Sequence, residues 1–269
     1  MSYAFLQWFN KEKELTTDEG RKIELLRFNH KDDKKLLSEW AKHFREMYSK
    51  DELLDDFRSG TGLTRSEYLL KMVFPDKSEG FGPATRSGDF AEILVADFLE
   101  FVCNYWIPRI RYDDKATRNS STQGSDIVGI KLKNDNEFNK DDELIVFEVK
   151  AQFSGKKAEN RLQDAVNDSN KDVTRVGEFL NYAKRRFINE KQYKERDVIE
   201  RFQNISDNPY IEKFGAAAFF TDENFDEDIL QRTNCLKHLK KDKLTLLVFT
   251  GKDMMTLVHS LYERAANEA

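Results

Sequence analysis

A chain of 269 residues with 39% hydrophobic and 12% aromatic side chains can bury a sizeable core, which excludes a disordered protein. Its net charge of −5 excludes a general basic coat for nucleic acid, so a polyanion has to be held by a local patch or a bound metal. The two cysteines, Cys103 and Cys235, read as free thiols in a reducing cytosol.

Near the N-terminus Tyr3, Phe5, Trp8 and Phe9 are soon followed by Asn10-Lys11-Glu12-Lys13-Glu14. That stretch lacks the charged start and long apolar middle of a signal peptide, and no later run is long enough to span a membrane. A cytoplasmic protein with no membrane partner is expected. Residues 23–28 predict a short strand. Residues 32–48 predict an amphipathic helix, with Leu36, Leu37, Trp40, Phe44 and Met47 at helical spacing. Shorter helical pieces are expected at 53–57 and 68–73. Pro75, Gly80, Gly82 and Pro83 then punctuate the chain, which places a boundary between a mixed α/β extension, 1–80, with a possible role in partner docking, and a main domain, 81–269.

Residues 90–102 read as a dense apolar helix, and 106–110, which contain Pro108, as an edge strand or strand start. A polar loop over 112–124 leads to a strand at 126–132, a charged hairpin loop at 134–142 and a second strand at 143–152. The chain then reads as helical to about 203, with buried strands at 216–220 and 244–249 and a closing amphipathic helix at 254–265. The order from residue 84 is helix, three strands, helices, strand, strand, helix, and no internal repeat interrupts it.

The 143–152 strand begins as a continuous apolar run and then alternates. From Phe147 onward, Phe147, Val149, Ala151 and Phe153 point one way and Glu148, Lys150 and Gln152 the other. An acid, a base and an amide on a strand leaving the core are costly unless something binds there. Asp32/Lys34, Asp33/Lys35 and Asp113/Lys115 share the acid-x-Lys form but lie in polar stretches, where solvated surface explains them. Asp126 starts the preceding strand, so a hairpin brings it towards Glu148; the plain alternative is a turn residue bonding local amides. Glu92 shares a helix face with Val95, Ala96 and Leu99 and points inward, unless Asp89 is an N-cap and Glu92 completes a capping box. The start of the helix decides between these two. Two unit charges about 4 Å apart repel by about 4 kcal/mol at an effective dielectric near 20, so clustered acids need protons or a cation. A hard divalent ion suits such an all-oxygen set.

Glu92 on a helix, Asp126 on a strand and Glu148-Val149-Lys150 on the next resemble the PD-(D/E)xK nuclease pattern. Arg86-Ser87-Gly88-Asp89-Phe90-Ala91-Glu92, Gln123-Gly124-Ser125-Asp126-Ile127 and Phe147-Glu148-Val149-Lys150 are also similar to the DUF1837 family, which includes the nuclease subunit of the Hachiman anti-phage system. The resemblance covers roughly residues 80–269. Ser125 stands where the superfamily pattern has a proline. The resemblance implies an α/β fold with an αβββαβ restriction-endonuclease-like core, a mixed central sheet flanked by helices. It also implies a DNA nuclease using Mg²⁺, or Mn²⁺ in its place, beside a helicase partner. By the same resemblance Asp126 and Glu148 are metal ligands, Lys150 is the catalytic lysine, Glu92 is an outer or additional ligand, and Gln152 is a supporting residue.

Other motifs carry less. His30, His43, His238 and His259 are scattered without ligand spacing, and Gly155-Lys156 lacks the earlier glycine of a phosphate-binding loop, so ATP falls to a partner. Lys184, Arg185, Arg186, Lys191, Lys194, Arg196 and Arg201 alternate with acids and read as a solvated face; a DNA-backbone track is the other reading, with Lys237, Lys240, Lys241 and Lys243 as a second. The alternative to an enzyme is a catalytically inactive nuclease-fold subunit that docks a helicase or senses DNA. A sheet-edge ion pair of Glu148 and Lys150 ranks last, because it explains neither Asp126 nor Glu92.

Overall fold

The computed structural model describes residues 3–120, 124–134 and 137–269, so Gln123 lies outside the described residues. Six strands form one mixed sheet in the order β1-β2-β6-β5-β4-β3. They are β1 Phe9–Thr16, β2 Lys22–Phe28, β3 Ile127–Lys131, β4 Glu143–Gln152, β5 Ile211–Thr221 and β6 Leu244–Gly251. β2, β6, β5 and β4 run parallel, while β1 and β3 close the two edges antiparallel. The mixed sheet flanked by helices is the α/β architecture that the family resemblance implied.

Two apolar clusters sit on opposite faces of this sheet. On one, Ile145, Phe147, Val149 and Phe153 meet α1 (Lys34–Glu46), α4 (Gly82–Asp97) and α8 (Met254–Asn267). On the other, Leu144 and Val146 meet α5 (Arg161–Asn189) and α6 (Tyr193–Arg201). The period-2 reading of β4 is therefore the observed one. Parallel β5 supports it closely: Gly215 lies opposite Phe147, and a Cβ there would fall 2.2 Å from the Phe147 ring.

The expected N-terminal strand and helix are β2 and α1. Asp33 caps α1, accepting from the backbone amides of Lys35 and Leu36, and Trp40 and Phe44 enter the core. α2 (Leu54–Arg58), α3 (Arg65–Tyr68) and a π-helical turn at Leu69–Val73 follow. β1 has no counterpart in the sequence reading because it is an edge strand with almost every side chain exposed, which leaves no apolar alternation to read. The 1–80 segment contributes two strands to the common sheet, and its Trp8, Trp40, Phe44 and Leu69 share a core with α4 and α8.

Two expectations need correction. α4 begins at Gly82, with Pro83 in its first turn, rather than near residue 90, and it continues through a wider π-helical turn, Phe98–Val102. Residues 106–110 do not form a strand: only Trp106 pairs, in a single bridge with Ile130. Pro108 lacks an amide for a ladder, and Arg109 is drawn instead to Asp97 and Glu100 on α4 and the turn that follows it, at 2.7 Å each.

A candidate acidic cleft at the end of the sheet

The site forms where β3 stops short of its neighbour. β3 begins with Ile127 opposite Phe147, so Glu148–Gln152 pair only with β5 and their other edge is open. Asp126, the residue just before β3, caps that edge: its Oδ2 accepts from the Val149 amide at 2.9 Å. This opening lets residues from helices on both faces of the sheet meet. The result is a cleft of about 730 Å³ whose lining includes Glu92 and Gly88 from α4, Asp126, Glu148, Lys150 and Gln152, and Arg175 from α5.

All five residues singled out in the sequence thus border one cleft. Their partners differ. Lys150 donates to Glu148 Oε1 at 2.7 Å and pairs with Asp168 of α5 at 2.9 Å. Glu92 Oε2 accepts from Arg111 Nε at 3.1 Å and from the Tyr112 hydroxyl at 2.7 Å. Since α4 starts at Gly82, Asp89 lies about two turns inside the helix, so the capping-box reading of Glu92 fails. Asp89 instead accepts from the Tyr48 hydroxyl and Lys115. Both ends of the Gln152 amide are engaged, Nε2 with Lys157 O at 2.8 Å and Oε1 with the Glu159 amide at 3.0 Å, so Gln152 fixes the loop forming one cleft wall.

Four further residues enter that the sequence reading missed. Arg111 bridges the two acids from different elements, reaching Asp126 Oδ1 at 2.7 Å as well as Glu92, and it also donates to Ser125 O at 2.6 Å. Asp168 holds the Lys150 ammonium. Asp172, fully buried on α5, accepts from Ser125 Oγ at 2.9 Å through Oδ1. Its buried Oδ2 has no hydrogen-bond partner, and Asp126 and Glu148 act on its carboxyl from nearby. A usable signal existed: Asp172 falls on the apolar stripe of α5 with Ala165, Ser169 and Leu180, where a charge is out of place. Arg175 completes the four. No such signal marks Arg111, because it lies in an irregular segment.

Burial and mutual repulsion set the electrostatics. Burial, reinforced by Glu148, pushes Asp126 up to about 7 against the pull of Arg111 and Lys150. Burial likewise raises Glu148 to about 7 despite Lys150, and Asp172 to about 6. Glu92 is raised by burial and by Asp126. Burial pulls the Lys150 ammonium down, but Glu148 and Asp126 outweigh it and hold the group above its ordinary range.

This donor set suits a hard divalent cation: oxygen ligands, excess negative charge, and an orphaned buried carboxylate oxygen on Asp172. No group of three His, Cys, Asp or Glu side chains among the described residues stands at coordinating spacing. Mg²⁺ commonly uses one or two protein carboxylates and keeps several waters, so Asp126 and Glu148 are the residues that could hold it.

The histidines take core and packing roles, with His43 paired to the buried Asp97 at 2.9 Å. Arg186 and Arg201 of the basic stretch are tied to Asp113 and Asp142, and Lys240 and Lys243 to Glu212. Both cysteines are free thiols. Among the described residues no helix is long and apolar enough to cross a membrane.

The fold and cleft define an α/β protein whose acids and lysine converge at an open strand edge. The chain belongs to the HamA family, whose model matches residues 4–265. Membership places it among the subunits of Hachiman anti-phage defence. No curated protein matches the chain.

Proposed function

We propose that this chain is a Mg²⁺-dependent DNA nuclease of the PD-(D/E)xK type and the effector of its defence system, working beside a helicase subunit. The observation that carries the reading is the convergence of Asp126, Glu148 and Lys150 in one cleft, with the acids sharing a surplus of negative charge. Asp126 and Glu148 would hold the ion, which when bound polarises a phosphoryl oxygen and lowers the pKa of bound water. Glu92 orders the site from outside through Arg111. Lys150, aimed by Asp168, places a positive charge beside the attacking water and the charge that develops on phosphate. Gln152 keeps the neighbouring wall in position. The N-terminal segment, with Leu53, Phe57 and Met72 exposed, supplies the docking surface for the helicase.

Purified protein, alone or with its helicase, should nick or degrade DNA in Mg²⁺, and Lys150→Ala should abolish this. Equal cleavage by that variant removes the assignment.

One observation favours a second reading. Arg111 already neutralises Glu92 and Asp126, and Lys150 is shared by Glu148 and Asp168, as in a nuclease fold retained for docking or sensing DNA. That reading predicts no Mg²⁺ binding and intact defence in Glu148→Ala.

A further inference from the structure

The cleft has chemistry beyond its reactive floor. Three cations line it: Lys150, Arg161 and Arg175. Lys150 is held by Glu148 and Asp168, and Arg161 by Glu159 and Asp164. Among the described residues Arg175 makes no hydrogen bond or ion pair; its field reaches Asp172, one helical turn earlier on α5. A guanidinium left without an acid partner in a cleft is suited to an anionic ligand, and its fork matches a phosphate.

The α4 wall differs. Ala84, Ser87, Gly88 and Glu92 of this helix line the cleft, a row of small side chains leading to the acid. Phe81 precedes Ala84 by three residues and Gly88 by seven, has helical backbone angles, and accepts the Thr85 amide in a regular helical bond, so it continues the same row outward. It is 81% exposed, the highest value among the exposed large apolar residues. Its mounting is closely packed. A Cβ on the adjacent Gly82 would lie 2.4 Å from Asp76 O, and Asp76 itself accepts from the Ser78 and Glu79 amides and from Arg118. Eleven residues at about 1.5 Å each put Phe81 roughly 16 Å along the helix from Glu92, a few nucleotides away along a strand.

We propose that the cleft takes a single-stranded or locally unpaired nucleic-acid segment, with Arg175 gripping a backbone phosphate near the reactive floor and Phe81 stacking on an exposed base farther along the strand. This rests on the nuclease reading and names its substrate form. Glu159 and Glu178 share the wall and the whole chain is acidic, so phosphate contacts are few and supply little affinity. Stacking supplies the remainder, and a base offers its face to an aromatic ring only when unpaired or at an end.

The test measures binding by the full-length chain in a Lys150→Ala background, so cleavage does not enter the readout. Phe81→Trp installs a fluorescent indole. A single-stranded oligonucleotide should quench it, while an abasic strand of equal length should leave it unquenched and bind about tenfold more weakly. Arg175→Gln should weaken both strands by a similar factor and lower the salt dependence of binding. Equal binding of the base-bearing and abasic strands, equal binding of blunt duplex and single strand, or no binding of either overturns the proposal. The nuclease assignment is judged separately, by cleavage in the chain with Lys150 intact.

Discussion

At the scale of single residues, the cleft stores charge that protons or a cation must balance. An acid whose folded pKa stands above its unfolded value, near 4, binds its proton more tightly in the folded chain. The stability it contributes is full below that unfolded value and is lost as pH rises through the folded one. With Asp126 and Glu148 at about 7 and Asp172 at about 6, the metal-free protein should lose melting temperature between pH 5 and pH 8. Each kcal/mol corresponds to roughly 2–4 °C in a chain of this size. Mg²⁺ should restore Tm at pH 8 and do little at pH 5, where protons compete, and Glu148→Gln should flatten both trends in a thermal-shift titration. A Tm unmoved by Mg²⁺ at pH 8 removes the metal from the site. Arg111→Met leaves two buried acids without their shared cation. Urea unfolding at pH 8 should show a loss of about 3–5 kcal/mol, shrinking at pH 5 as the acids take up protons.

At the scale of elements, function depends on register. β4 must present Glu148 and Lys150 on the face opposite Phe147, and a slip by one residue would exchange the two sets. The notch at Gly215 secures that register by admitting the Phe147 ring. Gly215→Ala should therefore cost about 1–3 kcal/mol by overpacking, and Phe147→Leu in the same chain should recover part of it in a double-mutant cycle. Additive losses would show that the ring and the notch are not coupled. The late start of β3 matters as much: its missing partner leaves the Val149 amide to Asp126 and opens the cleft. Element types were largely legible because β4, β5, β6, α1 and α8 each carry a clear apolar pattern. Trp106–Ile110 misled because apolar residues beside a proline resemble an edge strand, whereas Arg109 finds better partners on α4 and the turn after it.

At the scale of the molecule, β2 pairs with β6 and the aromatic side chains of α1 pack beside α8, so the sheet and core run through both parts of the chain. Deleting residues 1–80 would bare the β6 edge and unpack Phe90, Phe219 and Tyr262 from their aromatic neighbours Phe28, Trp40, Phe44 and Tyr48. Size-exclusion chromatography and near-ultraviolet circular dichroism should show aggregation or loss of fixed packing, and a monodisperse, cooperatively folded 81–269 fragment would refute this. The proposed docking of a helicase on this segment is therefore better probed by Phe57→Asp with Met72→Asp, exposed positions whose change leaves the core intact.

The sequence by itself determined the alternation that puts Glu148, Lys150 and Gln152 on one face, because side-chain direction follows from the strand period; for Glu92 it left an inward turn or a capping box, and the helix start at Gly82 decided for the first. The sequence also marked Asp126, through its place at the start of a strand. Only the tertiary structure decided that Arg111, Asp168, Asp172 and Arg175 belong with them, since these come from a loop and a distant helix whose approach no local period encodes. It also decided that the first two strands complete the common sheet. Pairing between strands more than two hundred residues apart depends on which edges and faces remain to be covered once the chain has collapsed.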